Sequence, residues 1–289
     1  GGVQLREFQG GGRARTQQAG PQAQLLSAKA WAADTDPHLA QLQPLLDLRA
    51  PAENQGTITT NYGLAWTKAG AAHQNVGTLN VNNASYNLVI TGASFEQAGG
   101  SGSGGGYVEL NGTPLVGGPT TTINHMWFTN TTATCTSLKN AAGKTLTLPG
   151  TSSIGCDFEN DGTLNVVSLA NAAITGGVTT VAGSAIVFND AATLTVASGF
   201  TSNGSIGVAN GGSDAQRLVV GSGTLVIGPT GTVSTGGGNL DLNAQLLNLG
   251  AITNNYRLKL DKTGATHANG GLITLGNVSK RAVSLDFPT

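Results

Sequence analysis

Asp161-Gly162-Thr163-Leu164-Asn165-Val166 sets a turn dipeptide against a short run in which polar and apolar residues alternate. Thr163 and Asn165 point one way, Leu164 and Val166 the other, which is the period of a β-strand with one buried side. The same signature recurs as Gly77-Thr78-Leu79-Asn80-Val81, Lys144-Thr145-Leu146-Thr147-Leu148, Ala192-Thr193-Leu194-Thr195-Val196 and Gly223-Thr224-Leu225-Val226-Ile227. Leu240-Asp241-Leu242, Leu258-Lys259-Leu260 and Leu272-Ile273-Thr274-Leu275 extend the series. A repeated strand module that cannot bury its apolar side alone must stack on its neighbours.

Two stackings compete. The turn dipeptides Asn111-Gly112, Asp161-Gly162, Asn203-Gly204, Asn210-Gly211 and Asn269-Gly270 supply positive φ cheaply. They serve either as hairpins of an antiparallel sandwich or jelly roll, or as corners of a parallel β-helix. The Leu-centred signatures at 225, 240, 258 and 273 recur at coil-like spacings. Asn248-Leu249-Gly250-Ala251-Ile252-Thr253-Asn254 reads as coil corners, and beyond residue 200 only Tyr256 and Phe287 are aromatic, which suits a narrow aliphatic core. The expectation is an all-β chain built as a parallel β-helix (β-solenoid).

On these residues, 144–279 resemble the right-handed β-helix passengers of filamentous-haemagglutinin-type adhesins and autotransporters, and phage tailspike shafts. The resemblance is one of pattern and covers under half of the chain. It implies an extracellular structural or adhesive role.

Residues 1–53 differ from the rest: they hold Arg6, Glu7, Arg13, Arg15, Lys29, Asp34, Asp36, Asp47, Arg49 and Glu53 out of 29 charged residues in all. Gly1 to Gly20 reads as an arm, 22–33 favours helix, and Asp36-Pro37 opens a second short helix carrying Leu39, Leu42, Leu45 and Leu46. The division expected is an N-terminal arm and helical cap over 1–53 and a β-solenoid over 54–289. A cap would cover the open end of a strand stack; an arm would reach a neighbouring subunit.

The 289 residues include 44 glycines, with only 10% charged and 5% aromatic. That composition suits secreted or surface-exposed β proteins, on a cell or on a virion. A net charge of −1 gives no general electrostatic reason to bind nucleic acid. No run approaches the roughly 18 apolar residues of a membrane span. There is no initiator methionine, so Gly1 is expected to follow a processing event.

Cys135 and Cys156 are the only cysteines. Their separation approximates one coil, so a bridge between neighbouring coils competes with two small buried thiols. Asp157, Glu159 and Asp161 would share one face of a strand and repel unless compensated. They approach a calcium loop but have Glu at its third position and Ser168 at its twelfth; a carboxylate pair for glycoside cleavage and a solvated outer face are the other readings. Tyr107, His125 and Trp127 are candidate carbohydrate contacts, with a half-buried strand histidine as the plainer account of His125. The Gly100–Gly105 match to GxGxxG runs into strand-like Tyr107-Val108-Glu109-Leu110, where a dinucleotide site needs a helix.

Function is accordingly expected to be non-enzymatic. The reading is an extracellular structural or adhesive module, free of cofactors, that assembles with copies of itself through its ends, edges and N-terminal arm, with surface glycans or host receptors as further partners. The alternatives are a polysaccharide-binding or -cleaving β-helix of tailspike type and a non-catalytic virion component.

Overall fold

In the computed structural model, residues 46–118, 121–167, 169–210, 215–276 and 285–286 are described. Among them the chain is strand and turn without helix, and every strand pairing is parallel. The protein is a β-solenoid. The helices expected over 22–33 and from Asp36 lie outside the described residues up to Leu46. From there the reading is corrected: Leu46–Leu48 is a strand paired with Leu64–Trp66, and Glu53–Asn54 pairs with the strand Ala72–Asn75. The solenoid therefore begins inside the segment assigned to the arm.

Each turn lays down strands on up to three faces. The first face is a 12-stranded sheet running from Leu46–Leu48 to Leu272–Leu275. The second carries, among others, Thr132–Thr134, Ser153–Ile154 and Asn171–Ile174 in succession. The third carries Ser137–Asn140, Asp157–Asn160 and Val178–Thr180, and near the N-terminus a separate three-stranded sheet of Thr57–Thr60, Thr78–Val81 and Ser101–Ser103. From Thr193 to Asn248 single strands run through the corner between second and third faces, as in Thr193–Ser202 and Asn239–Asn248.

Register gives the turn length. On the first face 18 residues separate Leu146 from Leu164, 22 separate Leu164 from Ile186, and 27 separate Ile206 from Val233. The late spacings of 15 residues are thus not coils. Leu225 pairs with Leu246 and Ile252 with Ile273, each 21 apart, whereas Leu240 does pair with Leu258. Likewise Leu164 lies on the first face and Leu194 on the second. One Leu-centred signature serves several faces, so distance between signatures mixes faces with turns.

Like sits on like inside. Leu146, Leu164, Ile186, Ile206 and Val233 stack as one buried column, and Ile154, Ile174, Val196 and Val220 as another. Each such side chain contributes about 1.5–3 kcal/mol by leaving water. The cavity beside Gln97, Asn124 and Met126 measures about 10 Å³, the lower limit for a single water.

The corners need other chemistry, because their backbone groups leave the sheet ladders. Where the third face passes into the first, buried asparagines bridge turn to turn. Asn140 donates from Nδ2 to Asn160 Oδ1 (2.8 Å) and to the Thr163 carbonyl (3.0 Å), and Asn160 donates to the Ala185 carbonyl (2.9 Å). Asn248 meets Asn269 in the same way, and Asn54 meets Asn75 at the corner into the Thr57–Thr60 sheet, each at 2.7 Å. At the corner leaving the first face, the hydroxyls of Thr113 and Thr131 donate back to the carbonyls of Ile90 and Leu110, and Ser152 does so to Phe128.

The turn glycines have two different reasons. Of Gly112, Gly162, Gly204 and Gly270 only Gly112 has a positive φ, 61°. At Gly162 a Cβ would stand 2.3 Å from the Lys144 carbonyl oxygen. There glycine is required by close approach of successive turns rather than by φ.

Candidate functional site

Side chains that point away from the core are the ones free to act on other molecules. On the third face alternation turns Phe158 and Asn160 inward and leaves Asp157, Glu159 and Asp161 outside, as expected. They do not converge on one point. Lys139, which is paired with Glu159 across the turn, places Nζ 2.6 Å from Glu159 Oε1 and 2.6 Å from Asp161 Oδ2. Asp157 turns instead to the Gly177 amide, which donates to Oδ1 at 2.8 Å. Hydrogen bonds to Asp161 and then Glu159 raise the Lys139 pKa, so the ammonium stays charged as their counter-ion. Among the described residues no group of three or more His, Cys, Asp or Glu is placed to hold a metal ion. Linear sequence hid Lys139, since its partners lie a full turn ahead.

Cys135 and Cys156 lie on successive turns with Cα atoms 5.1 Å apart and are joined as a disulfide. They are close to the third-face cluster in sequence, but Cys156 is buried and its sulfur faces the Ala133 carbonyl.

The other group lies on the first face. Tyr107–Asn111 pairs with Met126–Thr129, and the outward residues Tyr107 and Trp127 are diagonal neighbours. Their rings stack with centroids 4.3 Å apart and planes 13° from parallel. Opposite Trp127 on the same surface is Glu109. Asn87 Nδ2 donates to Glu109 Oε2 at 2.7 Å and Thr129 Oγ1 to Oε1 at 3.1 Å, so the carboxylate is held from the turns on both sides. Burial, and secondarily the Glu109 charge, raise the Tyr107 pKa and keep the phenol neutral. His125 is not in the strand. It occupies the bend before Met126 with φ 49°, half-buried, and burial followed by the nearby Lys144 charge lowers its pKa.

Two further aromatics went unnoticed in the sequence. Tyr62 precedes the strand Leu64–Trp66 and Tyr86 precedes Asn87–Ile90, and their rings meet edge-on at 5.9 Å. They do not continue the Tyr107–Trp127 position: Tyr62 and Tyr86 lie two residues before the inward Leu64 and Leu88, and Tyr86 packs against the core, whereas Tyr107 lies one residue before the inward Val108 and Trp127 one after Met126.

No protein-family model, curated protein or solved structure matches this chain.

Proposed function

We propose that this chain is a non-enzymatic, extracellular structural and adhesive β-solenoid that assembles with copies of itself. The observation that carries this reading is the way the residues are spent. Strands, buried columns and corner ladders all join one turn to the next, producing a continuous stack of turns. Charges on the second and third faces are drawn into pairs such as Lys139–Glu159 and Arg257–Asp241. The turn-to-turn disulfide supports an oxidising, extracellular setting. Open strand edges and the N-terminal segment are the means of assembly in this reading, in the manner of strand addition.

Electron microscopy of the full chain beside a version lacking residues 1–20 tests it. Filaments or closed assemblies that vanish on truncation support a self-assembling subunit joined by that segment. Single rods in both samples overturn the assembly.

The polysaccharide-binding alternative has one specific observation in its favour, the Tyr107–Trp127 stack beside Glu109.

A further inference from the structure

We propose that the outward surface of the first face around Tyr107, Glu109 and Trp127 is a binding site for neutral glycan chains. The inference deepens the adhesive part of the function proposed above by naming what the rod adheres to.

Three features of the surface lead to this ligand class. The first is shape. Two rings 4.3 Å apart and 13° from parallel lie face to face, so outward they present a narrow apolar ridge rather than an enclosing cage. The C–H face of a sugar ring packs across such a ridge. A compact cation is better served by rings set around it.

The second feature is hydrogen-bonding capacity. Glu109 is held by one donor on each oxygen, from Asn87 and Thr129, while a carboxylate offers about four lone-pair directions. Its remaining capacity faces outward beside the rings. It is an acceptor fixed in place before any ligand arrives, which lowers the ordering cost of binding. Hydroxyl groups are the donors that fit it.

The third feature is charge. Glu109 is the only charged side chain among the described outward residues of the first-face strands: the rows beyond it read Thr145, Thr147, then Thr163, Asn165, then Ala185, Val187. The cations of the second and third faces, Lys139 and Arg257 among them, are engaged with carboxylates there. A sulfated or uronic-acid chain laid on these strands would meet the Glu109 charge and no cation among their described outward residues, Lys144 standing before Thr145 at the strand's start beside His125. A neutral chain meets an acceptor.

Isothermal titration calorimetry provides the readout, since it needs no reporter group and so serves variants that lack Trp127 as well as the parent. The full chain is titrated with cellohexaose, maltohexaose and mannohexaose, then screened on an array of neutral glycans. Oligogalacturonate and a heparin hexasaccharide serve as anionic counterparts. A saturable response to a neutral glycan, with a weaker or absent response to the anionic ones, is expected. Trp127→Ala should weaken binding about tenfold, the size of one aromatic contact, while Trp127→Phe retains most of it. Glu109→Gln should narrow the gap between neutral and anionic probes. The proposal is overturned if no neutral glycan gives a saturable response. It is equally overturned if Trp127→Ala binds as the parent does with an unchanged circular dichroism spectrum, or if anionic chains bind better. Rods that assemble but bind no sugar would retire this site and leave the scaffold standing. Sugar binding by a chain that never assembles would do the reverse.

Discussion

At the scale of single residues, the corner leaving the first face repeats one backbone conformation with different side chains. Gly112, Asn130, Gly150, Leu169 and Ala191 have φ of 61°, 50°, 66°, 58° and 54°. Glycine and asparagine enter this left-handed region readily, whereas other residues are strained there by about 1–2 kcal/mol. Leu169 carries that strain while 76% exposed, so little packing offsets it. Leu169→Asn should raise the unfolding free energy by about 1 kcal/mol, read as a higher urea midpoint at constant slope. A lower midpoint would mean that Leu169 makes contacts worth more than its strain. His73 makes a second residue-scale case. It is buried, its Nδ1 accepts the Ala52 amide, and burial holds its pKa below the ordinary range against a smaller opposing effect of the Thr91 carbonyl. Below about pH 6.5 the unfolded chain takes up a proton that the folded form resists. Stability should therefore decline as pH falls through that value, and His73→Gln should flatten the decline. Urea unfolding at pH 7.5 and pH 5.5 checks both.

At the scale of the element, the decisive unit is the pair of neighbouring strands with its corner. Asn160 is wholly buried, accepts from Asn140 and donates to the Ala185 carbonyl, so it ties three turns together. Asn160→Ala leaves a buried amide and a buried carbonyl without partners and should cost about 2–3 kcal/mol. Asn160→Ser should cost less, since Thr180 and Ser202 already continue the column through hydroxyls 3.1 Å apart. Equal losses in the two variants would show that cavity volume, not the hydrogen bonds, sets the cost. The same unit explains what could be read in advance. Alternation in Thr163–Val167 or Thr193–Val196 reports which side chains are inside, because that depends on neighbours two residues away. It is silent on which face a strand occupies, and spacings of 15 residues between signatures consequently misled. Pairing depends on residues about a turn apart, so the Lys139 contacts with Glu159 and Asp161, and the lateral meeting of Tyr107 with Trp127, had no local signature. Asp161-Gly162 was legible as a corner, but its glycine answers to the previous turn's carbonyl, which no dipeptide encodes.

At the scale of the whole molecule, stability is close to one-dimensional: each turn touches the turns before and after it, and the total is a sum of turns and the interfaces between them. The disulfide is a sharp probe of that arrangement because it closes a loop of 21 residues between adjacent turns. Closing a loop of that size is worth about 3 kcal/mol through the unfolded chain. In a globule with one shared core, that amount would be felt everywhere. In this stack it should be felt chiefly where the bridge lies, near the Ala133–Ile154 and Leu138–Phe158 pairings. Hydrogen exchange before and after reduction separates the two pictures. Amides of Thr132–Thr134, Ser137–Asn140 and Asp157–Asn160 should lose protection, while those of Thr232–Ser234 and Ala251–Asn254, several turns further on, keep theirs. Uniform loss from end to end would establish the solenoid as a single cooperative unit whose turns cannot open separately. Local loss would locate the bridge as a clasp on the turns that follow the aromatic surface, holding in register the strands against which Tyr107 and Trp127 are set.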